Sequence, residues 1–357
     1  MKMKMDDLQA IEKIDRGKMR KLLLEFPLQC KKAIWIGDNL NIPQNYFQKR
    51  GGIGICGMGG SAIGGEVLKT LLSEKIKVPI FVNRDYNLPR YIDKKILTFI
   101  VSYSGNTEEA LSSYKEAKER GCLVISISSG GKLKKLAGED KNFLITIPPG
   151  MPPRNALGYL FIPVLKTLES LRLVEKKDYN YNELLEVLSI IRDRHSPEVP
   201  LKKNFAKSTA CELLGKIPLI YGVEGKTDAI ACRLKTQFNE NSKVAAFWNV
   251  FPELNHNEIV GWTGVGKVDL REFYPIFIRD DEEKKRIKKR IEITQSIMKE
   301  KGIRWTEIWS EGKNPLTKIF SSIYIGDWIS FYLAILQEID PTPIKMIDLF
   351  KKRLNEL

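Results

Sequence analysis

The chain has 357 residues, of which 43% are hydrophobic and 29% are charged. This composition excludes a disordered or collagen-like chain, and because the length exceeds that of a typical single core, we expect two domains. The formal net charge of +14 suits an anionic metabolite. The densest basic run, 284–290, directly follows an acidic run and is interpreted as one solvated helix face. We therefore expect no nucleic-acid partner.

The cysteines and the N-terminus indicate the compartment. Five cysteines are widely spaced, with no Cys-x-x-Cys pair, which is typical of free thiols in a reducing environment. The N-terminus lacks the apolar segment of a signal peptide, and no run approaches the about 20 apolar residues of a membrane span. We therefore expect a cytoplasmic protein without a membrane partner.

The first half of the chain alternates strands and helices. Residues 6 to about 48 have apolar residues at helical spacing and are predicted to form one or two amphipathic helices. Short apolar strands then alternate with helices, the strands being 53–56, 78–83, 96–102, 123–127 and 143–147. This alternation is typical of a parallel, doubly wound sheet.

The second half repeats this pattern more loosely. A proline-rich loop at 148–153 precedes a predicted buried helix at 154–171 and a polar helical connector. Strands are then predicted at 218–223, 244–247, 273–279 and 305–309, with helices at about 227–240 and 320–337 and a short terminal helix. Two related α/β halves are the expected architecture.

A glycine-dense stretch links the first strand to its helix. Gly57-Met58-Gly59-Gly60-Ser61 lets the backbone approach a ligand, and the helix start that follows presents unpaired N–H groups, which together predict a phosphate site. The same spacing also fits a dinucleotide-binding loop with Asp85 as the ribose ligand. A nicotinamide-dependent dehydrogenase therefore stays open as an alternative.

A second polar loop follows the third strand. The turn from this strand to its helix carries the hydroxyls of Ser102, Ser104 and Thr107. One interpretation is that these hydroxyls cap the helix and have no other role. Two such loops at successive strand ends of one sheet, however, favour a common ligand. Together with Gly60 and Ser61, these hydroxyls predict a cage for a terminal phosphate.

These two loops resemble those of a sugar isomerase (SIS) domain, whose fold is a five-stranded parallel sheet flanked by helices. Further motifs resemble the bifunctional phosphoglucose/phosphomannose isomerases, and they are Met151-Pro152-Pro153-Arg154, Asn239–Lys243, Pro252–Glu258 and Asp340–Pro343. The resemblance implies interconversion of glucose 6-phosphate, and of mannose 6-phosphate, with fructose 6-phosphate through an enediolate. This chemistry moves protons without net redox change, so neither a metal nor a cofactor is expected.

The resemblance also assigns roles to residues. Glu240 matches the proton-shuttling base, His256 the ring-opening residue, and Arg154 the cation that stabilises the enediolate. Lys351 matches a second ring-opening residue, with the adjacent Lys352 as the alternative. In the family, the active site lies between the two SIS domains and is completed in a homodimer by the histidine of the partner subunit.

The polar connector sets the domain boundary, and the resemblance names the domains on either side of it. We predict an N-terminal helical segment at 1–48, a first SIS domain at 49–175, a connector at 176–200, a second SIS domain at 201–340 and a C-terminal helix at 341–357. His195, in the connector, is expected at the surface. A non-catalytic sugar-phosphate sensor is the other alternative, disfavoured by the absence of a helix-turn-helix module in the sequence.

Overall fold

The computed structural model describes residues 5–48, 50–354 and 356. Residues 1–4, 49, 355 and 357, which fall in the predicted N-terminal segment, first domain and C-terminal helix, lie outside the described residues. Contacts divide the chain into two compact units. The loop unit comprises Glu25–Glu186 and Gly312–Ile319, and the cleft unit comprises Met1–Leu24, Val187–Glu311 and Phe320–Leu357.

Helices lie between the strands of both units and are numbered in chain order. The α-helices of the described residues are α1 (Leu8–Ile14), α2 (Met19–Leu24), α3 (Phe26–Asp38), α4 (Gly59–Leu72), α5 (Glu108–Glu119), α6 (Gly131–Glu139), α7 (Leu157–Ser170), α8 (Tyr181–His195), α9 (Phe205–Leu213), α10 (Asp228–Gln237), α11 (Lys285–Glu300), α12 (Pro315–Leu336) and α13 (Lys345–Leu354). Short 3₁₀ turns lie at Gln44–Phe47, Pro153–Asn155, Lys176–Asp178, Leu201–Lys203, Glu253–His256, Glu258–Thr263 and Leu270–Glu272.

The loop unit is built on a five-stranded sheet. Its strands are β1 (Gly52–Cys56), β2 (Ile80–Asn83), β3 (Ile96–Val101), β4 (Leu123–Ser128) and β5 (Phe143–Thr146). They run parallel in the order β2-β1-β3-β4-β5, which confirms the predicted doubly wound sheet. Because the strand order reverses between β1 and β3, ligands are expected beyond the carboxyl ends of these two strands.

The cleft unit contains a four-stranded sheet of the same kind. Its strands are β6 (Ile217–Val223), β7 (Phe247–Phe251), β8 (Phe273–Arg279) and β9 (Thr306–Trp309). All pairs are parallel, in the order β7-β6-β8-β9. Buried aromatic side chains fill one face, with the rings of Tyr221 and Phe277 5.4 Å apart. The structure confirms two parallel α/β sheets flanked by helices.

Three sequence-based boundaries are corrected by the structure. The N-terminal region forms three helices, α1 to α3, rather than one or two. The buried helix predicted from residue 154 begins with a 3₁₀ turn and continues as α7. The strand predicted at 244–247 lies instead at Phe247–Phe251, because the wide turn that ends α10 continues to Ser242 and is closed by the N–H groups of Lys243 and Val244.

Helix α12 corrects the expectation about long apolar runs. It has 22 residues and a mean hydropathy of 1.5 over an 18-residue window, so by length and composition it could cross a membrane. All of that window is buried inside the structure. A buried core helix meets the same criteria of length and hydropathy, because a helix buried on all sides is apolar on all sides.

Candidate functional site

The glycine loop places the start of α4 against the turn that carries Arg154. Gly59 has φ +48°, a conformation that glycine adopts at little cost. A Cβ at Gly60 would lie 2.8 Å from the Pro153 carbonyl and 2.9 Å from the Arg154 backbone nitrogen. Because no real side chain tolerates such contacts, Gly60 allows the two loops to meet at the N-terminus of α4.

The hydroxyls of the second loop tie the ends of β1 and β3 together. Ser102 is fully buried, where its Oγ donates to Thr107 Oγ1 at 3.0 Å and accepts from the Gly105 N–H at 3.1 Å. Ser61 Oγ accepts from the Tyr103 N–H at 3.3 Å. Residues 102–107 thus form one hydrogen-bonded loop, and Ser61 joins this loop to the glycine loop.

The hydroxyl-bearing residues Ser104 and Thr107 are more accessible than Ser102. Ser104 is exposed, and its Oγ accepts from the Asn106 N–H at 3.2 Å. Thr107 occupies the N-cap position of α5 and is half-buried, but its side chain makes no capping hydrogen bond with the described backbone. The alternative that these hydroxyls serve only as helix caps therefore fails at Thr107.

A third loop at the same sheet edge was missed in the sequence. Ser129, after β4, donates from Oγ to the Tyr103 carbonyl at 2.6 Å. A Cβ at Gly105, which has φ +70°, would lie 1.9 Å from the Gly130 carbonyl oxygen. The signal was available, because 128–131 has the same serine and glycine composition as the two loops that were recognised.

Arg154 is buried at 3% exposure, on a turn held by side chains from elsewhere in the loop unit. Gln29 of α3 donates to the Asn155 carbonyl at 2.7 Å and accepts from the Gly158 N–H at 2.8 Å. Burial raises the pKa of Tyr103, which keeps its hydroxyl protonated as a donor. Gln29 and Tyr103 are therefore positioning residues that the sequence did not reveal.

Tyr103 fixes the proline-rich loop that leads to this turn. Its hydroxyl donates to the Pro148 carbonyl at 2.9 Å and accepts from the Met151 N–H at 3.2 Å. The loop unit thus brings together Gly60, Ser61, the serine loop and, through Gly60, the turn of Arg154. N–H groups and hydroxyls at a helix start are donors that suit a phosphate.

The cleft unit carries Glu240. Beyond α10 the helix widens into a π-type turn, Phe238–Ser242, and such turns are frequent at functional sites. Glu240 is half-buried and lines a cleft of about 750 Å³, formed by residues 239–245 and 339–347. Lys243 and Lys345 line the same cleft, so a carboxylate faces a space of substrate size with cationic neighbours.

The other predicted catalytic residues lie on separate elements of the cleft unit. His256 is exposed at the end of the 3₁₀ turn Glu253–His256. Lys351 and Lys352 are both exposed on α13, a helix with no buried residue. The structure thus collects the predicted phosphate ligands and distributes the predicted proton-transfer groups over three elements.

His195 was expected at the surface, and this prediction is wrong. Its side chain is only 1% exposed, with Nδ1 3.0 Å from the Ile191 carbonyl. Burial lowers the pKa of His195 to about 4. The Tyr332 hydroxyl of α12 donates to the His195 carbonyl at 2.6 Å, so a helix distant in sequence covers the end of α8.

Comparison with known proteins decides the family. The curated bifunctional phosphoglucose/phosphomannose isomerase of Caldicellulosiruptor bescii is 47% identical over 333 residues, covering 93% of this chain and 97% of that relative. This chain belongs to the bifunctional phosphoglucose/phosphomannose isomerase family. The enzyme of the same name from Aquifex aeolicus is 36% identical over 309 residues, which cover 85% of this chain and 91% of that protein.

Two further comparisons concern the C-terminal part of the chain and the fold. Residues 202–354 match the family model described as the bacterial phospho-glucose isomerase C-terminal SIS domain. The crystal structure of a hypothetical protein from Thermus thermophilus superimposes with a TM-score of 0.75 over 98% of this chain and 93% of that one. At 15% identity this likeness shows the fold alone. The predicted family is confirmed, and neither the sensor nor the dehydrogenase is favoured.

Proposed function

We propose that this protein interconverts glucose 6-phosphate and mannose 6-phosphate with fructose 6-phosphate, with Glu240 as the base. The observation that carries the proposal is the placement of Glu240 on a π-type turn that lines a cleft of about 750 Å³. A carboxylate that faces such a space can reach a substrate carbon. Membership of a family named for both activities supports the choice of substrates.

The loop unit is proposed to hold the phosphate. Gly60, Ser61, Ser102, Ser104 and Thr107 surround the carboxyl ends of β1 and β3, where the strand order reverses and ligands of such sheets bind. Fully buried Ser102 is proposed to act from within, because its Oγ bonds to Gly105 and Thr107 and so shapes the loop. Anchoring a remote phosphate supplies binding energy that orients the reacting carbons.

The proposed reaction moves one proton between adjacent carbons. His256 and Lys351, or Lys352 in its place, open the sugar ring by proton transfer at the ring oxygen. Glu240 then removes the C2 proton of the aldose, so a C1=C2 bond forms as the C1=O bond becomes C1–O⁻, which gives the enediolate. Glu240 returns the proton to C1 while the O2 proton moves to O1, which leaves the C2=O group of the ketose. Arg154 is proposed to stabilise the charge of the enediolate oxygen. No electrons are gained or lost overall.

The decisive experiment supplies fructose 6-phosphate in the presence of EDTA and follows both aldose products. We expect wild type to form both, and Glu240→Gln to lose about 10²-fold or more in kcat, as removal of a general base does. Glu300→Gln is the matched control, because Glu300 is an exposed carboxylate of the same unit. Wild-type activity in Glu240→Gln would refute the assignment of the base.

Isotope exchange tests the enediolate separately from the residue. In deuterium oxide, proton transfer through Glu240 should place deuterium at C2 of the aldose product, because the carboxyl proton exchanges with solvent. A direct hydride shift would leave C2 unlabelled and would contradict the proposed mechanism. If folded wild type turns over neither aldose, the chain is no isomerase of these sugars and the sensor becomes the better account.

The protein is further proposed to be a cytoplasmic homodimer that acts at a step shared by glycolysis and gluconeogenesis. Support comes from the family resemblance and from five cysteines that are all free thiols in the structure, as in a reducing compartment. His256 of one subunit would then serve the site of the other. Light scattering of the purified protein measures the oligomeric state, and a monomer that is fully active would refute this arrangement.

A further inference from the structure

The turn that carries Glu240 ends in a lysine with an unusual backbone conformation. Lys243 has φ +57°, in the left-handed region that glycine and asparagine favour. Its N–H and that of Val244 both bond to the Phe238 carbonyl, which closes the turn. A long cationic side chain therefore stands where the backbone suits glycine, and a strained position of this kind points to a contribution from its side chain.

The ammonium of Lys243 lies among three backbone carbonyls. Its Nζ donates to the carbonyl of Glu240, to that of Pro341 at 3.0 Å and to that of Asn241 at 3.4 Å. An ammonium has three N–H donors, so these carbonyls can engage all of them. The geometry fits a clamp on the backbone better than a charge that binds a ligand.

This clamp joins two segments that line one cleft. Glu240 belongs to the turn, whereas Pro341 lies between α12 and α13. The turn is also held by Asn241, whose Nδ2 donates to Ser330 Oγ at 3.0 Å. That bond fixes the residue after Glu240, while Lys243 bonds to the carbonyl of Glu240 itself.

We propose that Lys243 is a positioning residue, whose ammonium fixes the backbone of Glu240 against the segment that leads into α13. The inference rests on the proposed role of Glu240 as the base. A displacement of a catalytic group by about 1 Å costs up to about 10²-fold in rate. Because the phosphate is proposed to bind in the loop unit, loss of the clamp should lower kcat and leave KM for fructose 6-phosphate unchanged.

Three substitutions separate the ammonium from the backbone. Lys243→Met keeps the length and the left-handed strain but removes the donors, and we expect kcat to fall about tenfold or more with KM unchanged. Lys243→Arg keeps charged donors and should restore most of kcat. Lys243→Gly removes both donors and strain, so its Tm should exceed that of Lys243→Met by about 1–3 °C while its kcat stays equally low. Lys243 is exposed, so each variant should fold.

Lys141 provides the matched control. It too is exposed, with φ +55°, but it lies in the loop unit after α6. Lys141→Gly should raise Tm by a similar amount and leave kcat unchanged. The inference is overturned if Lys243→Met has wild-type kcat, if it changes KM alone, or if Lys243→Gly recovers wild-type kcat. Inactive wild type, or an active Glu240→Gln, would instead overturn the proposed function.

Discussion

Buried His195 should make the protein less stable in acid by a predictable amount. Burial lowers its pKa from 6.5 to about 4, so between these values the unfolded chain binds a proton that the folded chain does not. The contribution of neutral His195 to the free energy of unfolding is fully present above the pKa of the unfolded state, and it is lost as the pH falls toward 4. At about 1.4 kcal/mol per pKa unit, a difference of about 2.5 units corresponds to about 3 kcal/mol.

The substitution His195→Gln keeps an amide donor for the Ile191 carbonyl but cannot titrate. Urea unfolding at about pH 7.5 and about pH 4.5 measures the change in unfolding free energy, which should be about 2.5 kcal/mol larger for wild type than for the variant, because pH 4.5 still lies above the pKa of the folded state. His256→Gln is the matched control, since the exposed His256 is the other of the two histidines. An equal pH dependence in wild type and His195→Gln would refute the reasoning.

Two other results are expected. Gly60→Ala should raise KM for fructose 6-phosphate by about tenfold or more, because the added Cβ would displace the Arg154 turn. Gly138→Ala is the control and should leave KM unchanged, because its added Cβ meets nothing within 4 Å. Mixing equal amounts of Glu240→Gln and His256→Ala subunits should restore about one quarter of wild-type activity if the histidine acts across the dimer, since half of the dimers would then hold one intact site. Activity no higher than that of the unmixed variants would argue against this arrangement.

Local sequence patterns predicted the sheets but not the turn that carries Glu240. Apolar runs and glycines gave the parallel strands, because both are properties of neighbouring residues. The strand predicted at 244–247 was displaced because nothing in Phe238–Ser242 distinguishes a π-type turn from a continuing α-helix. The left-handed conformation at Lys243, a residue type that rarely adopts it, was equally hidden.

The contacts that hold Gln29 and His195 could not be predicted from local sequence, because they join residues that are far apart in the chain. Gln29 bonds to Gly158 across 129 positions, and Tyr332 covers His195 across 137. A sequence pattern shows that Gln29 or His195 is polar, but not which distant element will bury it. The proposed catalytic residues were therefore assigned by resemblance to a family, whereas the contacts that hold these elements in place required the fold.

The two sheets explain why one unit is better suited to a phosphate than the other. Both have the same strand order around a reversal point, and β6 leads into α10 as β1 leads into α4. At the start of α4 stand glycines and Ser61, whereas α10 starts with Asp228, whose carboxylate accepts from the N–H groups of Gly225 and Ala229. A carboxylate already satisfies the N–H groups there and repels a second anion. The start of α4 therefore suits an anion better than the start of α10 does, which agrees with the proposal that the loop unit holds the phosphate.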